Sequence, residues 1–63
     1  MNNLSFPLLY TPFVTEGLLK FLIFDSQMEL IASSENEEAS VLFVEIANQS
    51  HNLPNIPNIK TEF

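Results

Sequence analysis

The chain contains no cysteine and no arginine, and it has a single glycine, Gly17, and a single histidine, His51. Without cysteine there can be no disulfide, no thiolate metal site and no cysteine nucleophile. One imidazole cannot assemble a zinc site by itself, and one glycine leaves no glycine-rich loop to cradle a phosphate. The only lysines, Lys20 and Lys60, lie far apart in sequence. No basic patch is therefore expected, and direct binding to nucleic acid or to an anionic membrane surface is not expected either. Also lacking are a cationic leader and a long apolar run. The stretch 18–24 is seven residues interrupted by Lys20, far short of the roughly 20 apolar residues of a membrane helix. A cytoplasmic protein without a membrane span is the expectation.

What is present is hydrophobic and acidic. The 63 residues are 46% hydrophobic, with six phenylalanines, and carry a net charge of −6. That composition is too apolar for an intrinsically disordered chain. A chain this short nevertheless buries only about 60% of the surface that its unfolded form exposes. Domains of this size usually gain stability from disulfides, a metal or a partner chain. With cysteine absent, association is the remaining device, and an acidic surface steers toward basic protein partners.

The local patterns predict a small α+β protein. Residues 1–15 place Pro7 and Pro12 among apolar side chains, which predicts an extended arm, up to residue 17, that packs by its side chains. Over 18–32 Phe21 and Ile23 alternate with Lys20 and Leu22, and Asp25-Ser26 supplies turn chemistry, so a β-hairpin is predicted. A single long helix starting at Thr15 is the competing reading. Ser34 and Glu37 fit a capping box, and Glu35, Glu37 and Glu38 suit a helix N-terminus, so a helix is predicted over about 35–49. Its predicted core stripe is Ala39, Leu42, Phe43, Ile46 and Ser50, with Val41 and Val44 outside it. The β-branched content of 39–47 also permits a third strand. In the tail, 53–63, Pro-Asn-Ile recurs at a spacing of three. That period matches polyproline II and would put Ile56 and Ile59 on one edge, either of a mobile tail or of an arm that docks. The predicted architecture is a ββα unit over 18–52 with extended flanks.

The residues from Asp25 through Leu30-Ile31-Ala32, then Glu37, Ala39, Leu42-Phe43-Val44 and Asn48 to Leu53, resemble a pattern of short accessory proteins of bacteriophages and prophages. There, a hairpin of the form Asp-x-x-Gly-x-Leu-Ile-Ala precedes a helix rich in Asn-Ala, Phe-Ile-Val and Ala-x-Asn. About half of the chain is covered, and Met28 stands where that pattern has its turn glycine. The resemblance implies a ββα module that binds and disables a host protein, and it brings no catalytic residues.

Chemistry finds little footing. Glu35, Glu37 and Glu38 fall in an exposed turn, where carboxylates are solvated and do not act as an acid–base pair. His51 with Ser50 and Asp25 or Glu45 lacks an oxyanion hole, and His51 is better placed as a dipole partner at a helix end. The spacing of a calcium loop is missing. The sequons at Asn3 and Asn48 arise by chance in an asparagine-rich chain that is not secreted. No enzyme activity, cofactor or metal is expected.

The expected function is protein binding, as an inhibitor or adaptor. Phe13, Val41, Val44, Ile56 and Ile59 are the candidate apolar contacts, and Glu35, Glu37 and Glu38 the steering charges. Two alternatives stand beside it. One is a structural subunit or self-associating dimer; the other is a DNA mimic using Glu29, Glu35, Glu37, Glu38 and Glu45.

Overall fold

The computed structural model describes residues 4–63; the start of the expected arm, residues 1–3 with the sequon Asn3, lies outside them. Three strands, β1 (Leu9–Thr15), β2 (Leu18–Phe24) and β3 (Leu30–Ser34), precede the helix α1 (Glu37–Ser50), and the short strand β4 (Lys60–Thr61) follows it. They form one antiparallel sheet in the order β1-β2-β3-β4, with α1 packed on one face. This is the α+β arrangement of strands followed by a helix that the sequence predicts.

The stretch read as an arm supplies β1, paired with β2 along its whole length from Leu9–Phe24 to Thr15–Leu18. Pro12 does not prevent this, because an edge strand leaves one row of backbone groups unpaired and can seat a residue without an N–H. Glu16 and Gly17 make the connection with φ of 52° and 76°. Positive φ at both central residues is what a type I′ hairpin turn requires, and its twist matches that of the strands. The continuous helix from Thr15 is thereby excluded.

The β2–β3 hairpin turns at Asp25, as predicted. The pairing shifts between Ile23–Ala32 and Phe24–Leu30, leaving Ile31 as an extra residue. A bulge of this kind re-aims side chains, and consecutive Ile31 and Ala32 are both buried here. Met28 in this turn has φ of 68° and is exposed. That is the left-handed region, which a side chain occupies at a cost.

The helix begins two residues later than expected and has a different cap. Asn36, at φ −113° and ψ 116°, accepts a 2.9 Å hydrogen bond from the Ala39 amide. Ser34 is buried one step back: its Oγ accepts from the Asn36 N–H and donates to the Asn36 carbonyl. Ser34 therefore braces the cap and is not the cap itself. His51 ends the helix in the left-handed conformation, its N–H bonded to the Ala47 carbonyl, and its ring stacks on Phe6 at 4.8 Å. The segment 39–47 is helix throughout, so the third-strand reading falls.

The face that α1 presents to the sheet is Ala39, Ser40, Phe43 and Ala47. The predicted stripe was turned by about 60° from this, at 3.6 residues per turn. Small residues win because they let the helix axis come close to the sheet, and the Ser40 hydroxyl is satisfied by the Asn36 carbonyl at 3.1 Å. Leu8, Phe21, Ile23, Ile31 and Ala32 complete the buried apolar core. Leu53, Ile56 and Ile59 pack against that core, so the tail docks on its own chain.

Asn48 fixes the helix to the sheet. Its Oδ1 accepts from the Leu8 N–H at 2.7 Å and its Nδ2 donates to the Leu8 carbonyl at 3.1 Å. A side-chain amide thus stands in for a neighbouring strand just before β1. Replacing Asn48 with Ala leaves both Leu8 backbone groups without this partner, and we expect a loss of about 2–3 kcal/mol in chemical denaturation. Met28→Gly should do the opposite, raising stability by about 1 kcal/mol by relieving the left-handed side chain. A drop in the denaturation midpoint for Met28→Gly would show that the turn does not need that conformation.

Candidate functional site

Three surface regions emerge once the side chains are placed. On the outer side of α1, Glu37, Glu38, Val41, Leu42 and Glu45 line an apolar groove of about 400 Å³. Residues three and four apart neighbour one another on a helix, so Glu38 and Glu45 flank Leu42, and Ile46 extends the apolar ridge. Leu42 is 47% and Ile46 37% exposed, although both were expected in the core. The acids at the start of the helix also oppose the positive end of its dipole, which holds the segment helical while it carries charge.

The sequence-derived contact residues are divided by the fold. Glu37, Glu38 and Val41 meet in this groove. Val44, Ile56 and Ile59 instead pack, half-buried, against the chain's own core. Phe13 is exposed, but on β1 and away from the helix. Leu42 and Ile46 were missed because periodicity alone does not say where a stripe is centred when its true centre is alanine and serine.

In a second region the two lysines, far apart in sequence, come together. Lys20 and Lys60 line the same cleft of about 560 Å³, with Ser33, Asn58 and Glu35. The pairing of Ser33 with Lys60 in β4 brings the tail lysine there. Two cations beside one carboxylate make a small basic spot, not a phosphate-tracking patch.

The third region is the sheet face turned away from α1. Phe21 and Ile23 point into the core, so by alternation Lys20, Leu22 and Phe24 point the other way. The register puts Leu9, Thr11 and Phe13 beside them from β1, and Ser33 and Leu30 from β3. Leu9, Phe13, Leu18 and Leu30 on this side are all exposed.

The residues considered for hydrolysis do not form a site. Asp25 is wholly buried and its carboxylate is committed to backbone amides, from Gln27 and Glu29 at 3.0 Å and Ser5 at 3.4 Å. The Ser50 hydroxyl donates to the Ile46 and Asn52 carbonyls, and His51 stacks on Phe6. Among the described residues no cluster of His, Asp and Glu could hold a metal ion. No helix among them is long and apolar enough to cross a membrane. Comparison with protein-family models, curated proteins and solved structures returned no match.

The Glu29 amide above all, with those of Ser5 and Gln27, holds the Asp25 carboxyl below the ordinary aspartate range, against the opposing effect of burial. A carboxylate with a depressed folded pKa stabilises fully above its unfolded value, about 4, and loses that contribution as pH falls through the folded value. Asp25→Asn should therefore have a lower urea midpoint than the parent at pH 7. The gap between the two should narrow as pH falls below about 4. Equal midpoints at pH 7 would remove Asp25 from the forces that hold the fold.

Proposed function

We propose that this chain is a protein-binding module whose helix takes a cationic amphipathic segment of another protein. The observation that carries this is the groove in which Val41 and Leu42 lie among Glu37, Glu38 and Glu45. An apolar floor gives contact area, and a carboxylate rim sets the sign of the partner and speeds encounter. Such a module works as an inhibitor or adaptor in the cytoplasm, by occupying a site on a larger protein and not by catalysis. The resemblance to phage accessory proteins would make that partner a host protein. It gains support at Met28, whose left-handed backbone falls where the pattern has glycine. Mimicry of DNA is less well supported, because apolar side chains interrupt the carboxylates on the helix.

The probe is a labelled model peptide of lysine and leucine in helical amphipathic spacing, with a glutamate-for-lysine peptide as control. Binding of the cationic peptide should shift the amide resonances of Glu38, Val41, Leu42 and Glu45 and weaken with added salt. Leu42→Ser and Glu45→Lys should each weaken it at least tenfold, about 1.4 kcal/mol. Equal binding of the anionic peptide, or shifts confined to the sheet, would refute this surface.

A further inference from the structure

The sheet face opposite α1 has no second layer among the described elements, although it is built mainly from large apolar side chains. Leu9, Phe13, Leu18, Leu22, Phe24 and Leu30 make up its surface, by the register of β1, β2 and β3. A sheet hydrophobic on both faces is stabilised by covering both, and α1 covers the middle of one, leaving Val14 and Leu19 exposed at the β1–β2 turn end. We propose that a second copy of this chain covers the other, packed face to face as a two-layer sandwich.

Charge argues against a basic partner there. No residue of the four strands is Asp or Glu, so the carboxylates behind the net charge of −6 lie on the helix, turns and termini. A basic partner would gain nothing from this face. The charges on the face are Lys20 and, across from Ser33, Lys60, whose long stems let the ammonium groups reach solvent at the margin. Two copies set no carboxylate against another, because sheets pack about 10 Å apart and each acidic helix lies a further layer out. The helices are then separated by well over the Debye length of about 8 Å at physiological salt.

Size also fits. Seven residues at about 3.4 Å and three strands at about 4.8 Å give a face of roughly 24 by 14 Å. Covering it in a symmetric pair removes on the order of 1,000 Å² in total, which reaches the small end of specific interfaces. A micromolar pair is the expectation. Edge-to-edge growth of the sheet is disfavoured, since β1 carries Pro12 and β4 is two residues long.

Sedimentation equilibrium over a wide concentration range tests this directly. The mass should rise from 7.2 kDa to twice that, with a micromolar midpoint. Leu30→Lys and Phe13→Lys should each raise the midpoint at least tenfold while circular dichroism stays unchanged, and Leu42→Lys on the helix should leave it in place. A mixed sample of labelled and unlabelled wild-type chains adds a readout that needs no variant: contacts between copies should appear at the Leu22 and Leu30 methyls. A folded chain that stays at 7.2 kDa at the highest concentration overturns the pair. So does a pair whose inter-copy contacts map to the helix or to the open edge of β1. Peptide binding reads the helix and this experiment reads the sheet, so either reading can fail while the other stands.

Discussion

The structure hangs on the Asp25 carboxylate. A charged group shut off from solvent is tolerable only when its lone pairs are taken up, and here three backbone amides from two stretches of chain converge on it. Two of them close the β2–β3 turn. The third belongs to Ser5, whose carbonyl in turn receives both the N–H and the hydroxyl of Ser26. The first described residues are thereby clipped to the turn, and that position delivers Leu8 into the core and to Asn48. Strand β1 can then run alongside β2 as an edge strand, a position that tolerates Pro12. One side chain sets the turn, and through the clip it sets the start of the edge strand and the seat of the helix.

The core that results is thin. Of its eight buried apolar residues, Ala32, Ala39 and Ala47 are small. They bring the helix close and leave little volume for the larger side chains. Phe43 fills most of the space between helix and sheet. Leucines that periodicity would bury are pushed to the outside, which is how a chain with 46% hydrophobic residues comes to show apolar surface on both of its layers.

Much of this was legible in the sequence. Alternation around Lys20, the Asp25-Ser26 turn and the acidic start of the helix each rest on a local rule, and local rules survived. The first strand was not legible, because Pro12 argues against a strand until its edge position is known, and Glu16-Gly17 reads as a hairpin turn only once a strand precedes it. The cap moved from Ser34 to Asn36 because both are capping residues and only backbone geometry separates them. The helix face was misplaced for a tertiary reason: Asn48 pairs with Leu8 and fixes the rotation, and no pattern within the helix encodes that contact. For the same reason Val44, Ile56 and Ile59 read as surface in the sequence, while in the fold they are half-buried against the core. The two lysines, distant in sequence, meet because β4 pairs with β3.

The distribution of charge ties the fold to its use. Carboxylates are absent from the strands and gathered on the helix and turns, so the molecule has one apolar side, whose charges are Lys20 and Lys60, and one acidic side. These sides ask for different neighbours. Water-excluding contact can serve on the sheet, where the two lysines can carry their charge out to solvent, whereas on the helix the carboxylates would lose hydration without return unless a cation met them. A paired arrangement through the sheets would turn two such helices outward in opposite directions. A partner with two cationic segments could then be held at both, and linked sites of modest individual strength gain from effective concentration. A chain too short to build a deep pocket would in that way gain avidity from pairing.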